Sequence, residues 1–452
     1  MYTRKRLLVA CLAFVGMVAV PVSAQNESGY RLTKIADIDT VIPGIDPVRR
    51  LHPNELSAPP CLSAGGYVAF LGTVRENAQK ESPDGTRLSH PYTDVGNGIF
   101  LANVRKPDTV VTIALSGATA PGGGTFNALV APFLGTTAGG VGFLAFFSSV
   151  TPSASQPPDP ATVDALHLFV YDLATQKLRL ALKSPLSTPQ GFTLDGTGAI
   201  NSAGQIVFGT LNTKKTAGGY CLFPATGTDR DITTITPGMP DGSDKPYPRL
   251  TNPQIGERGE VALGGLIEHN KPGVNYGLYL VNKAGKFAPI FEQGDPSPTG
   301  KWFMRMTSQS AAVNSTSNLV AFASSTEAFD GAFVYNMQTR RTDLVAVVNG
   351  DAPNGLGKYS QIIYDIGVNS RGEVAFVASL NPPPDAGAIG LHALFTQNAR
   401  GVTRLVARTG DSFDGSTLMG FATDARCIDD TGGIAFRYVL ADGRAGYAYA
   451  RP

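Results

Sequence analysis

Basic residues flank aromatic ones at a recurring place along this 452-residue chain, and these are the side chains whose types and spacing suit ligand chemistry. The groups are Lys245-Pro246-Tyr247-Pro248-Arg249, Lys301-Trp302 with Arg305, and Lys358-Tyr359; Arg49-Arg50-Leu51-His52 stands at the corresponding place near the N-terminus. A guanidinium pairs bidentately with a carboxylate while a neighbouring ring stacks, so a collar of such residues suits an anionic sugar or a small carboxylate. Phe126, Phe192 and Phe421 hold the same place without the charge, so packing between neighbouring units is the competing use of these rings. His90, close to Tyr92, is the histidine to test as a base. With Arg49, Arg50, Arg249 or Arg305 neutralising a carboxylate, His90, Tyr92 or Tyr247 would act on the proton next to it.

Metal chemistry has less material. Gly294-Asp295, Gly350-Asp351 and Gly410-Asp411 repeat a carboxylate, but an Asp after Gly and before a bend is explained by a side-chain-capped turn. Cation sites need several oxygens converging within one loop. No nucleophile elbow, Walker loop, HExxH or paired-cysteine zinc pattern occurs, and there are five histidines in all, of which His167 and His392 fall in or beside strands. No metal and no cofactor is expected.

The elements that must position these residues follow from a repeat. Val368 to Val377 reads V-N-S-R-G-E-V-A-F-V, a polar turn with Gly followed by a β-branched and aromatic strand. Degraded copies end at Phe70, Phe146, Phe208, Leu263, Phe322, Phe376 and Phe436, with a mean spacing of 61 residues. In the sixth copy, Gln361 to Val368, Glu373 to Leu380, Gly390 to Thr396 and Val402 to Arg408 read as four successive strands. Four antiparallel strands per period mark a β-propeller blade, and no stretch holds a helical period. The last copy ends after three strands, and Arg31 to Asp37 (RLTKIAD) is similar to Thr403 to Arg408 (TRLVAR). The expected fold is all-β: a seven-bladed propeller over residues 25–452, closed by an N-terminal strand that completes the last blade.

The N-x-x-G-x-V-A-F units, each followed by a G-(L/I)-(Y/F) strand and a fourth strand ending in Gly-Asp, resemble the bacterial tandem NxxGxxAF-repeat proteins. The unit is also similar to the blade of the periplasmic propeller of the Tol system. The resemblance implies fold and export, and it implies that the N-x-x-G turns share one face while the longer loops, Thr73 to Asn97, Ser148 to Val163 and Asn381 to Ala388, share the other.

Arg4-Lys5-Arg6, the apolar run Leu7 to Val20 and Val22-Ser23-Ala24 read as a secretory signal over residues 1–24. Its removal takes three of the 37 Lys+Arg and none of the 36 Asp+Glu, so the remaining net charge of −2 offers no field for nucleic acid or an anionic membrane. No stretch is long enough to span a bilayer. An exported protein, periplasmic or extracellular, is expected. Cys61 and Cys427 stand two residues before equivalent turns in the first and last copies, so they should be close without being bonded, and Cys221 should be a buried thiol. On this basis the first function expected is a binding or interaction module for an anionic carbohydrate, a small carboxylate or a protein partner; the alternative is a polysaccharide (uronate) lyase.

Overall fold

The computed structural model describes residues 29–42, 50–52, 58–77, 92–152, 165–186, 193–211, 218–235, 252–266, 276–282, 284–308, 310–381 and 391–452. They form an all-β, propeller-like molecule of antiparallel sheets. In the sixth repeat the strands Lys358–Val368, Val374–Asn381, Leu391–Gln397 and Thr403–Arg408 pair in that order, within a few residues of the sequence expectation. The second and third repeats share one nine-stranded sheet because Leu166 pairs with Leu194.

The V-A-F run is continuous because this strand is buried on both sides. Successive side chains of a strand point to opposite faces. Val374, Phe376 and Ala378 therefore pack toward the fifth repeat, and Ala375 and Val377 toward the seventh. Each apolar cluster among the described residues fills the space between two successive repeats, and one of them joins the last repeat to the first through Ala435, Tyr447, Val68 and Phe70. In that cluster the rings of Phe70 and Tyr447 lie 4.5 Å apart.

The N-terminal strand Arg31–Asp37 pairs antiparallel with Ala445–Arg451, from Arg31 opposite Arg451 to Asp37 opposite Gly446. Leu32, Ile35 and Ala36 are buried there. Lys34 bonds both Asp37 (2.9 Å) and Asp414 (3.0 Å), and Asp414 also receives Arg444 at 2.6 Å. The terminal strand thus closes the last sheet.

Each turn holds its fourth residue at positive φ: Gly66, Gly140, Gly204, Gly259, Asn318, Gly372 and Gly432. Asn318 serves where the fifth turn is one residue longer, because Asn tolerates this conformation. The second turn begins at Thr137, whose carbonyl accepts the Gly140 N–H (2.9 Å), two residues before the sequence alignment places it.

Candidate functional site: the channel and its mouth

The Asn that opens a turn does two jobs. Asn369 Oδ1 accepts the N–H groups of Arg371 (3.1 Å) and Glu373 (2.9 Å), and its Nδ2 donates to the Asp429 carbonyl of the next repeat (2.8 Å). Asn201 likewise accepts from Gln205 N–H (2.9 Å) and donates to the Gly256 carbonyl (3.0 Å). These turns ring a cavity of about 350 Å³ whose lining includes Ser63, Thr137, Ser202, Glu257, Thr316, Asn369 and Asp429, so every repeat contributes to it. The repeated polar turn is therefore a stitch between neighbours around the central channel.

Arg426 closes that cavity. It rises from the seventh repeat and reaches carbonyls on the far wall: Leu134 of the second repeat (3.0 Å), Ile200 of the third, and Ile255 of the fourth (3.1 Å). Its Nε faces Gln254 Oε1 at 3.4 Å. A guanidinium presents five donors in a rigid planar fork, which is why one side chain can satisfy acceptors from three strands. Its own carbonyl accepts the Leu62 N–H of the first repeat at 2.8 Å.

On the other side of Arg426 lies a second cavity of about 240 Å³. Its lining mixes the apolar Val130, Pro132 and Phe133 with the polar Thr197, Asn252, Gln254, Ser310 and Asp424. Asp424, half-buried, lines this cavity. Its Oδ1 accepts the Arg426 N–H at 2.9 Å. Burial raises its pKa above the ordinary carboxylate value, with the Arg426 charge acting in the opposite direction. Cys61 lines the same cavity, and burial, followed by the Asp424 charge, pushes its thiol up to about 12.

The sequence-predicted residues are distributed unequally. Arg49, His90, Lys245, Tyr247 and Arg249 lie outside the described residues. Arg50 falls in the short strand Arg50–His52, and Tyr92 opens the strand Tyr92–Asn103 opposite Asn77. Trp302 is 49% exposed, and Arg305 is exposed beside a strand irregularity facing Ser325. Tyr359 corrects the collar: it is buried, its ring 5.5 Å from Phe395 and 6.1 Å from Phe376, and burial pushes its phenol up to about 12. Phe126 and Phe421 pack in the same way. In the fifth repeat the equivalent core ring is Phe303, stacked on Phe291 at 4.5 Å, so Trp302 is displaced outward by one residue. His167 accepts the Ser184 N–H through Nδ1 (3.0 Å) and burial lowers its pKa, so it is a neutral core histidine.

Cys61, Cys221 and Cys427 are free and buried. The backbones of the first and last repeats do meet, yet Cys61 packs between the first and second repeats and Cys427 between the sixth and seventh. Sequence reasoning missed Asp424 and Arg426. The available signal is positional: three residues before each turn stand Pro60, Leu134, Gly198, Pro253, Ala311 and Ile366, and Arg426 is the charged exception.

Among solved structures, an oligogalacturonate lyase from Vibrio parahaemolyticus is similar over 94% of this chain and 95% of its own, at 14% identity and a TM-score of 0.51. An oligogalacturonate lyase in complex with manganese matches 95% of each chain at 12% identity and a TM-score of 0.48. A putative TolB from Agrobacterium tumefaciens matches 76% of this chain and 93% of its own, at 10% identity and a TM-score of 0.37. At these identities the first likeness speaks for the fold alone. No curated protein matches the sequence. A family model does match, over residues 12–449, and the chain therefore belongs to the family of unknown function DUF7453.

Proposed function

We propose that the protein is an exported, seven-bladed propeller, a single domain over residues 25–452, that acts on an anionic, uronate-containing saccharide at the mouth of its channel. The observation that carries this reading is the end-to-end likeness to an oligogalacturonate lyase, which favours cleavage over binding alone. In such a cleavage an arginine neutralises the uronate carboxylate, and a base takes the proton α to it. The glycosidic C–O bond then breaks, and the leaving oxygen is protonated to give an unsaturated sugar. Arg49, Arg50, Arg249 and Arg305 are the proposed neutralising groups, and His90, Tyr92 and Tyr247 the proposed bases. Lys245 and Trp302 complete the rim.

Binding without cleavage is the second reading. It is favoured by the described channel, where the Arg426 guanidinium is committed to backbone carbonyls and no histidine lines either cavity. Purified mature protein incubated with oligogalacturonates separates the two. Growth of unsaturated-product absorbance is expected, and Arg249→Ala with Arg305→Ala should weaken it with melting nearly unchanged. Saturable binding without absorbance selects the second reading, and neither signal overturns both.

A further inference from the structure

The cavity beside Asp424 has a chemistry distinct from that of the proposed basic rim. Its charged side chains are Asp424 and Arg426. Four of the five Arg426 donors go to Leu134, Ile200, Ile255 and Gln254. Asp424 spends Oδ1 on the Arg426 N–H, and among the described residues its carboxylate has no ion pair within 4 Å. An incoming anion would meet this carboxylate without a free guanidinium to offset it. An incoming cation would meet the Arg426 charge. The amide of Asn252 makes no hydrogen bond to another described side chain, and Gln254 uses its oxygen on Arg426 and keeps its NH₂ group. The lining therefore offers one acceptor-only group, two amides and the hydroxyls of Thr197 and Ser310, together with the apolar side chains of Val130, Pro132 and Phe133.

A neutral ring with hydroxyls along its edge and C–H bonds on its face matches a lining of this mixed kind, since each hydroxyl donates and accepts and the face packs on apolar side chains. The volume, about 240 Å³, suits one ring and not a chain.

We propose that this cavity binds a single neutral, hydroxyl-rich sugar ring, with Asp424 accepting its hydroxyls and Asn252 and Gln254 completing the polar edge. The site deepens the saccharide reading given above: the anionic part of the ligand stays at the rim and an uncharged ring occupies the channel.

Titration calorimetry of the mature protein with glucose, galactose, mannose and xylose, alongside oligogalacturonate cleavage, tests it. At least one neutral sugar is expected to bind, and Asp424→Asn and Asn252→Ala are each expected to weaken it at least tenfold. Asp424→Asn should keep or raise the melting temperature, which rules out loss through misfolding. Galacturonic acid should bind this cavity at least tenfold less tightly than galactose. Absence of any neutral-sugar binding, or unchanged affinity in both variants, overturns the proposal. If oligogalacturonates are still bound or cleaved in that case, the broader function stands and only the channel site falls. If neutral sugars bind through Asp424 while uronates are neither bound nor cleaved, the channel site stands and the broader function falls.

Discussion

Two charged side chains decide the character of the channel, and both are testable singly. Arg426→Ala removes donors to acceptors in three repeats, and with charge-assisted bonds contributing about 1.5–3 kcal/mol each before water re-enters, a net loss of about 2–4 kcal/mol is expected in urea unfolding. Arg426→Lys should recover less than half, because one ammonium cannot span the carbonyls that the planar fork reaches. Asp424 runs the other way. Burial raises its pKa, so the folded chain binds a proton at a pH where the unfolded chain has already released it. The carboxylate thus costs stability at neutral pH, and the cost vanishes as pH falls through the raised pKa to the ordinary one. Asp424→Asn should be more stable than the parent at pH 7 and equal to it in acid; a difference that is independent of pH would refute the assignment. The three thiols should not react with an aromatic disulfide reagent in the native protein at pH 8, since burial pushes Cys61 up to about 12 and Cys221 up to about 11. Three should titrate after denaturation without reductant.

The strand-turn unit carries its information in few positions. The turn with its glycine and the β-branched and aromatic V-A-F strand were readable from the sequence because each answers to a local rule, a left-handed backbone at the turn and strand propensity after it. What the local rules did not show is the second use of the Asn. Its Nδ2 reaches the next repeat, so Asn369→Ala loses a cap and a bond between units and should cost about 2 kcal/mol, where a turn cap alone would cost about half that. Asn369→Asp keeps the cap but sets an acceptor against the Asp429 carbonyl, and it should be no more stable than the Ala variant. A fully stable Asn369→Asp protein would show that the stitch contributes nothing.

At the scale of the whole molecule, closure depends on the N-terminal strand. Deleting residues 25–40 removes the buried Leu32 and Ile35, each worth about 1.5–3 kcal/mol, and Ala36, worth about 1 kcal/mol, and exposes the edge of Ala445–Arg451. That sum is a large share of the 5–15 kcal/mol that stabilises a typical domain. The truncated protein should melt many degrees lower and self-associate in sedimentation; melting like the parent would contradict closure by this strand.

The sequence by itself determined the all-β class, the repeating unit, the turn conformations and the strand that returns from the N-terminus, because periodic burial and backbone chemistry are written in neighbouring residues. Only the tertiary structure decided that Tyr359 serves the core, that Phe303 rather than Trp302 fills the fifth repeat, and that Cys61 and Cys427 pack into different interfaces. It alone also set Arg426 across the channel beside Asp424. Arg426 finds its partners 171 to 292 residues away along the chain. Contacts at that separation exist because the last repeat packs against the first, and no local pattern encodes which side chain of one repeat will meet the far wall.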